Sequence, residues 1–166
     1  GWQPLCLAVV REVPSIELVN VLIAAGADLQ ATPKGLTAHS PLLLAAMGRR
    51  LKVLAALLEA KANIEEYDSA GHPILANVAA WQHDVQSRRA CALLLRHGAK
   101  VMERDREGQT AQKHALQARN ELTAAYLGAH ADSARQLALR ELELLQDGGA
   151  DGGGAARGGR KAKGTR

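Results

Sequence analysis

Between Ser40 and Gly71 the chain carries two bursts of apolar residues at helical spacing, separated by the polar break Gly48-Arg49-Arg50. Leu42, Ala45 and Ala46 give the first burst a narrow apolar side, and Leu51, Leu54, Leu57 and Leu58 give the second a wider one. Ser40 is a good N-cap, and Pro41 occupies the first helical position, where its missing N–H costs nothing. Small residues on the first helix let the second approach closely, so the stretch reads as a helix-turn-helix hairpin. Every other part of the first 146 residues can be laid against it as a weaker copy. The second helix of each copy has its own apolar slots: Leu18, Val19 and Leu22; Val53, Leu54 and Leu57; Ala90, Cys91 and Leu94; Leu122, Thr123 and Tyr126. Ser15, Ser87 and Asn120 stand where N-caps would open three of these helices.

Four second helices end alike, in VLIAAGAD, ALLEAKAN, LLLRHGAK and AYLGAHAD, with Gly26, Lys61, Gly98 and His130 in one register. The steps between those marks are 35, 37 and 32 residues, near the ~33 of ankyrin repeats. Gly1-Trp2-Gln3-Pro4-Leu5-Cys6-Leu7-Ala8 and Ser40-Pro41-Leu42-Leu43-Leu44-Ala45 are similar to the opening motif of that family. Pro73-Ile74-Leu75-Ala76 and Gly108-Gln109-Thr110-Ala111-Gln112-Lys113-His114-Ala115 are more degenerate versions. The motif histidine is replaced in all four copies, by Cys6, Leu43, Leu75 and Lys113.

Residues 1–132 thus resemble four ankyrin repeats, at about 1–31, 32–68, 69–105 and 106–132. The resemblance implies an all-α, ankyrin-type α-solenoid with short hairpin fingers between repeats. Asp68 to Gly71 and Asp105 to Gly108 keep the same three-residue step within two of those fingers, and the first, around Thr32-Pro33-Lys34-Gly35, is about two residues longer.

Two departures from the period stand out. The third copy is five residues longer than the second between its first helix and its register mark, and the excess falls within Ala80-Trp81-Gln82-His83-Asp84-Val85-Gln86, which is expected to protrude. After the fourth copy, Ser133 and Gln136 resemble a capping box. They predict a separate C-terminal capping helix over 133–147, with Leu142 and Leu145 packed on the last repeat and Gly148-Gly149 ending it. Residues 148–166 are rich in Gly and basic residues without Leu, Ile or Val, a composition expected to be disordered.

Composition narrows the function. There is no Phe, and Trp and Tyr number two each, while the apolar fraction of 47% is mostly Ala, Leu and Val, which suits thin stacked layers. Of the net charge of +4, the stretch from Asp147 onward, with five basic residues against two acidic, supplies +3, so the body is nearly neutral. A nucleic-acid groove in the body is not indicated, and tethering through the basic residues of 157–166 is a weak alternative. No apolar run reaches the ~20 residues of a membrane span, and two distant cysteines point to a reducing, intracellular setting, cytoplasmic or nuclear. The chain opens on Gly1, which is expected of a fragment or processed product with further repeats upstream.

No nucleophile elbow, phosphate loop or dinucleotide fingerprint is present, so no enzymatic activity and no cofactor is expected. The six histidines show no metal-ligand spacing, and no metal is expected. Cys91 falls in a core slot and reads as inert. Binding to a protein partner by a monomer is the function expected, through residues on the inner face and fingertips. The family geometry puts Met47 and Arg49 on the concave side. Glu65, Glu66 and Tyr67 form an acidic fingertip with an aromatic, and Arg104 and Arg106 lie on the next. Trp81 and His83 sit in the insertion, Trp81 either as an interface anchor or folded back over its own repeat. A rival reading is the substrate-recognition arm of an enzyme whose catalytic domain lies before Gly1.

Overall fold

The structure is a computed structural model that describes residues 3–12, 15–33 and 39–147, with side chains as far as 141. Trp2, the tip of the first finger, Leu142, Leu145 and the tail from Gly148 lie outside the described residues or side chains. Among the described residues all regular elements are helices: α1 Pro4–Val10, α2 Ile16–Ala24, α3 Pro41–Met47, α4 Leu51–Glu59, α5 Ile74–Ala79, α6 Asp84–Arg96, α7 Ala111–Gln117 and α8 Glu121–Asp147. The protein is therefore all-α, and none of these helices is long and apolar enough to cross a membrane.

Contacts divide the chain into a unit of residues 1–131 and a second of residues 132–166. In the first, α1–α2, α3–α4 and α5–α6 pair as hairpins. The first helices touch in the order α1, α3, α5, α7, and the second in the order α2, α4, α6. One contiguous core runs between the two rows, from Leu5 and Val9 through Leu42, Leu54, Leu57, Ile74 and Leu94 to Leu127. Burying each Leu or Ile there contributes about 1.5–3 kcal/mol, so the inter-row contact is the main source of stability. The first apolar slot of the second helices is sealed at Val53 and Ala90 in the inner copies, but Leu18 and Leu122, in the outer copies, are 39% and 56% exposed. An inner helix such as α4 has neighbours on both sides, α2 and α6, whereas α2 has one.

Local sequence explains where the helices start and stop. The Ser15 and Ser40 hydroxyls accept from the backbone N–H of Leu18 and Leu43, both at 3.2 Å, as N-caps should. The register marks Gly26, Lys61 and Gly98 have φ of 78°, 63° and 98°. Each donates its N–H to the helix end, as does the next residue: Ala27 to Leu22, Ala62 to Leu57 and Ala99 to Leu94, all at 3.0 Å. This left-handed ending satisfies carbonyls that the helix leaves open. Arg49 and Arg119 end α3 and α7 in the same way, at φ 57° and 61°.

Three expectations are corrected. The insertion does not make a protruding loop: α6 has 13 residues where α4 has 9, and the connection grows only from Gly48–Arg50 to Ala80–His83. Extra residues at the start of a helix gain intrahelical hydrogen bonds that a loop would have to find elsewhere. Ser87, expected as an N-cap, is consequently inside α6, fully buried, its hydroxyl donating to Val78 O at 2.8 Å and Ala79 O at 3.1 Å. Finally, α8 continues from Glu121 to Asp147 without a break, so neither His130 nor Ser133 marks a helix end. In the second unit the described side chains, Asp132 to Glu141, are all exposed.

Candidate functional site

The first turns of α2, α4 and α6 open onto a cleft of about 580 Å³ lined by Ile16, Glu17, Arg49, Arg50, Leu51, Lys52, Val53, Gln86 and Arg89. Four cations face one carboxylate there. The left-handed turn at Arg49 directs its guanidinium across to the next copy, where Nη1–H donates to Gln82 Oε1 at 3.1 Å. Arg50 reaches the preceding one, Nη2–H donating to Arg11 O at 3.1 Å. Both arginines are thus held by neutral acceptors, which leave their charge uncompensated. Among the described residues none of the four cations closes a salt bridge.

Glu17 is otherwise engaged. Its backbone N–H, the Ser15 hydroxyl at 2.8 Å and the charge of Lys52 hold its carboxyl below the ordinary range. The placement of the cations runs against helix electrostatics: α4 has Arg50 as its N-cap and no acid in its first turn, although helix N-termini favour negative charge. The N–H groups opening α4 and the four cations have the charge that suits a carboxylate or another anionic group. The lining residues include no thiol, hydroxyl or imidazole.

The fingers form a second surface. Asp68 Oδ1 accepts from the N–H of Ala70 and His72 at 2.9 and 2.8 Å, and Asp105 Oδ1 from those of Glu107 and Gln109 at the same distances. Gly71 and Gly108, at φ 88° and 76°, close the two turns, and antiparallel bridges Tyr67–Pro73 and Arg104–Thr110 complete them. The fingers cross-link: Lys100 Nζ donates to Glu65 Oε1 at 2.6 Å and Tyr67 OH donates to the Glu103 carboxylate. The Lys100 hydrogen bond holds the Glu65 carboxyl low, and the Glu103 hydrogen bond pushes the Tyr67 phenol up. Tyr67, Gly71, Arg104, Asp105 and Arg106 line a smaller pocket of about 330 Å³.

The structure separates the residues singled out by sequence. Arg49 belongs to the cleft, and Met47, 48% exposed, ends α3 just before it. Tyr67, Arg104 and Arg106 share the finger pocket, with exposed Glu65 beside them. His83 is the exposed residue preceding α6 and makes no capping hydrogen bond. Glu66 turns inward: half-buried, it accepts from the Ser40 hydroxyl, and burial pushes its carboxyl up.

Trp81 is corrected outright as an exposed anchor. It is 3% exposed and its Nε1–H donates to Ala46 O at 2.9 Å. The large indole face gains more from the core than from water, and the N–H finds its carbonyl in α3, so the residue docks its own copy onto the preceding one. The sequence reading missed Arg50, Lys52, Gln86 and Arg89. The signal that marks two of them is cationic charge at the start of α4, where a helix prefers acid. Compared with known proteins, the chain matches no family model and no curated sequence.

Proposed function

We propose that the chain is an ankyrin-type repeat protein, a non-catalytic module that binds an acidic segment of a protein partner in the cleft at the start of α2, α4 and α6. The paired helices, the left-handed residues recurring at Gly26, Lys61 and Gly98, and the twin carboxylate turns support the repeat assignment. The observation that carries the function is four cations gathered in one cleft, two of them, Arg50 and Lys52, at the start of α4, with no salt bridge to any of the four among the described residues. Arg50 and Lys52 each cost α4 about 0.3–1 kcal/mol relative to an acid. A local rule broken without internal compensation points to a ligand that supplies the missing charge.

The test uses a fluorescein-labelled, Glu-rich 12-residue peptide, titrated with the full chain and followed by anisotropy. Expected is saturable binding that weakens as salt rises, and a loss of at least about tenfold in affinity for Lys52→Glu with Arg89→Glu, charge reversals that place like charge against the peptide. Wild-type affinity in the double variant would overturn the assignment, because basic residues elsewhere would then be holding the peptide.

A further inference from the structure

The two finger turns bring together side chains that the sequence keeps 42 residues apart. His72 leaves the first turn and His114 stands in α7, and their rings meet edge to face with centroids 4.9 Å apart. Asp105, from the second turn, joins them: one ligand atom from each of His72, Asp105 and His114 lies within 4.8 Å of the other two. We propose that these three residues form a binding site for a divalent transition-metal ion of the zinc class, which would staple consecutive fingers together.

Each ligand is already oriented. His72 Nδ1 is 3.0 Å from Asp68 Oδ2, the carboxylate–imidazole pairing that fixes a tautomer and leaves Nε2 for a metal. The Asp105 carboxylate is completely buried and locked by two backbone N–H groups on Oδ1, so Oδ2 alone is presented, 2.7 Å from His114 Nε2. The His72 side chain is 31% exposed, giving an ion a route in and leaving room for water as a fourth ligand. Two imidazoles, one carboxylate and a water form the donor set of an open zinc site. Two nitrogen donors disfavour calcium and magnesium, which take oxygen.

Geometry demands little. At metal–ligand lengths near 2.1 Å, tetrahedral ligand atoms stand about 3.4 Å apart. The widest separation in the cluster would close by up to about 1.4 Å, and the His114–Asp105 contact would open by about 0.7 Å as an ion replaces the proton between them. Rotation of a partly exposed imidazole supplies such a movement without shifting either turn. The site is independent of the basic cleft, which shares none of these residues.

The test titrates the full chain with zinc chloride, and with cobalt chloride as an optical probe. One equivalent of zinc should bind and raise the thermal midpoint, and cobalt should give the visible bands of low-coordinate nitrogen–oxygen ligation. In imidazole-detected NMR of the wild-type chain, zinc should move the resonances of His72 and His114 and leave those of His83, His97 and His130 in place. His72→Ala, with helical circular dichroism unchanged, should weaken zinc by roughly tenfold or more. Absence of binding at micromolar zinc, movement of the other histidines instead, or full affinity in His72→Ala would each overturn the site. The NMR arm needs no variant, so the inference stands or falls even where a substitution impairs folding.

Discussion

Lys61 holds a backbone conformation that its neighbours in register assign to glycine. At φ 63° it pays the left-handed penalty that Gly26 and Gly98 avoid, about 1–2 kcal/mol for a residue with a Cβ. Glycine would return part of that through the greater freedom of the unfolded chain, so Lys61→Gly is expected to stabilise by about 0.5–1 kcal/mol. A urea midpoint that rises at unchanged slope would show it; a fall would mean the exposed lysine makes up its strain elsewhere. This position was legible in sequence, because the alignment of VLIAAGAD, ALLEAKAN and LLLRHGAK sets lysine against two glycines. The fate of Trp81 was not. Counting residues finds the insertion, but the carbonyl that receives its indole belongs to Ala46, 35 residues earlier, and only the packed fold brings that acceptor into reach.

Among the elements, α8 is begun by a residue of another helix. Asp84, the first residue of α6, accepts from the N–H groups of Leu122 and Thr123 at 3.1 and 2.9 Å, and from the Thr123 hydroxyl. Asn120, the N-cap expected from sequence, instead sends its amide N–H to Ala79 O and Trp81 O. The two residues exchange polar groups between copies, and a reading confined to one stretch of sequence cannot see the exchange. Asp84→Ala should destabilise by about 1–2 kcal/mol, the upper part of the N-cap range, because one carboxylate serves the starts of two helices. Asp84→Asn, which keeps an acceptor, should lose less. A double-mutant cycle with Thr123→Val checks the side-chain part of the shared cap: coupling of about 0.5 kcal/mol or more is expected, and strict additivity would show that the Thr123 hydroxyl contributes nothing to it.

For the molecule as a whole, the repeated pattern made the paired helices of the first three copies legible, since each copy corroborates the others, while the merging of the fourth copy's second helix with the expected capping helix into α8 was not. The basic cleft and the His72–His114 meeting were hidden because both arise between copies. The same between-copy polar contacts set the response to acid. Burial acts to raise Asp68, Asp84 and Asp105, but hydrogen bonds from His72, from Thr123 and Leu122, and from His114, Gln109 and Glu107 outweigh it and hold all three carboxyls low. A depressed carboxylate contributes stability that is complete above its unfolded value, about 3.9, and is lost as pH falls through the folded one. Glu66 runs the other way: burial raises it beyond what the Ser40 hydrogen bond and the charge of His39 recover. It favours the fold below its unfolded value, about 4.3, and that contribution disappears as pH rises through the folded value. These three depressed carboxyls, with exposed Glu17 and Glu65 acting in the same direction, outnumber Glu66 and predict a thermal midpoint that drops from pH 5 to pH 3. Glu66→Gln keeps an acceptor for Ser40 while removing the buried charge, so it should raise the midpoint at pH 7 and leave it nearly unchanged at pH 3, where the wild-type carboxyl is already protonated. Melts at the two pH values decide it: an equal shift at both would trace the gain to packing, and a drop at pH 7 would show that Glu66 is held by a charge partner stronger than its burial.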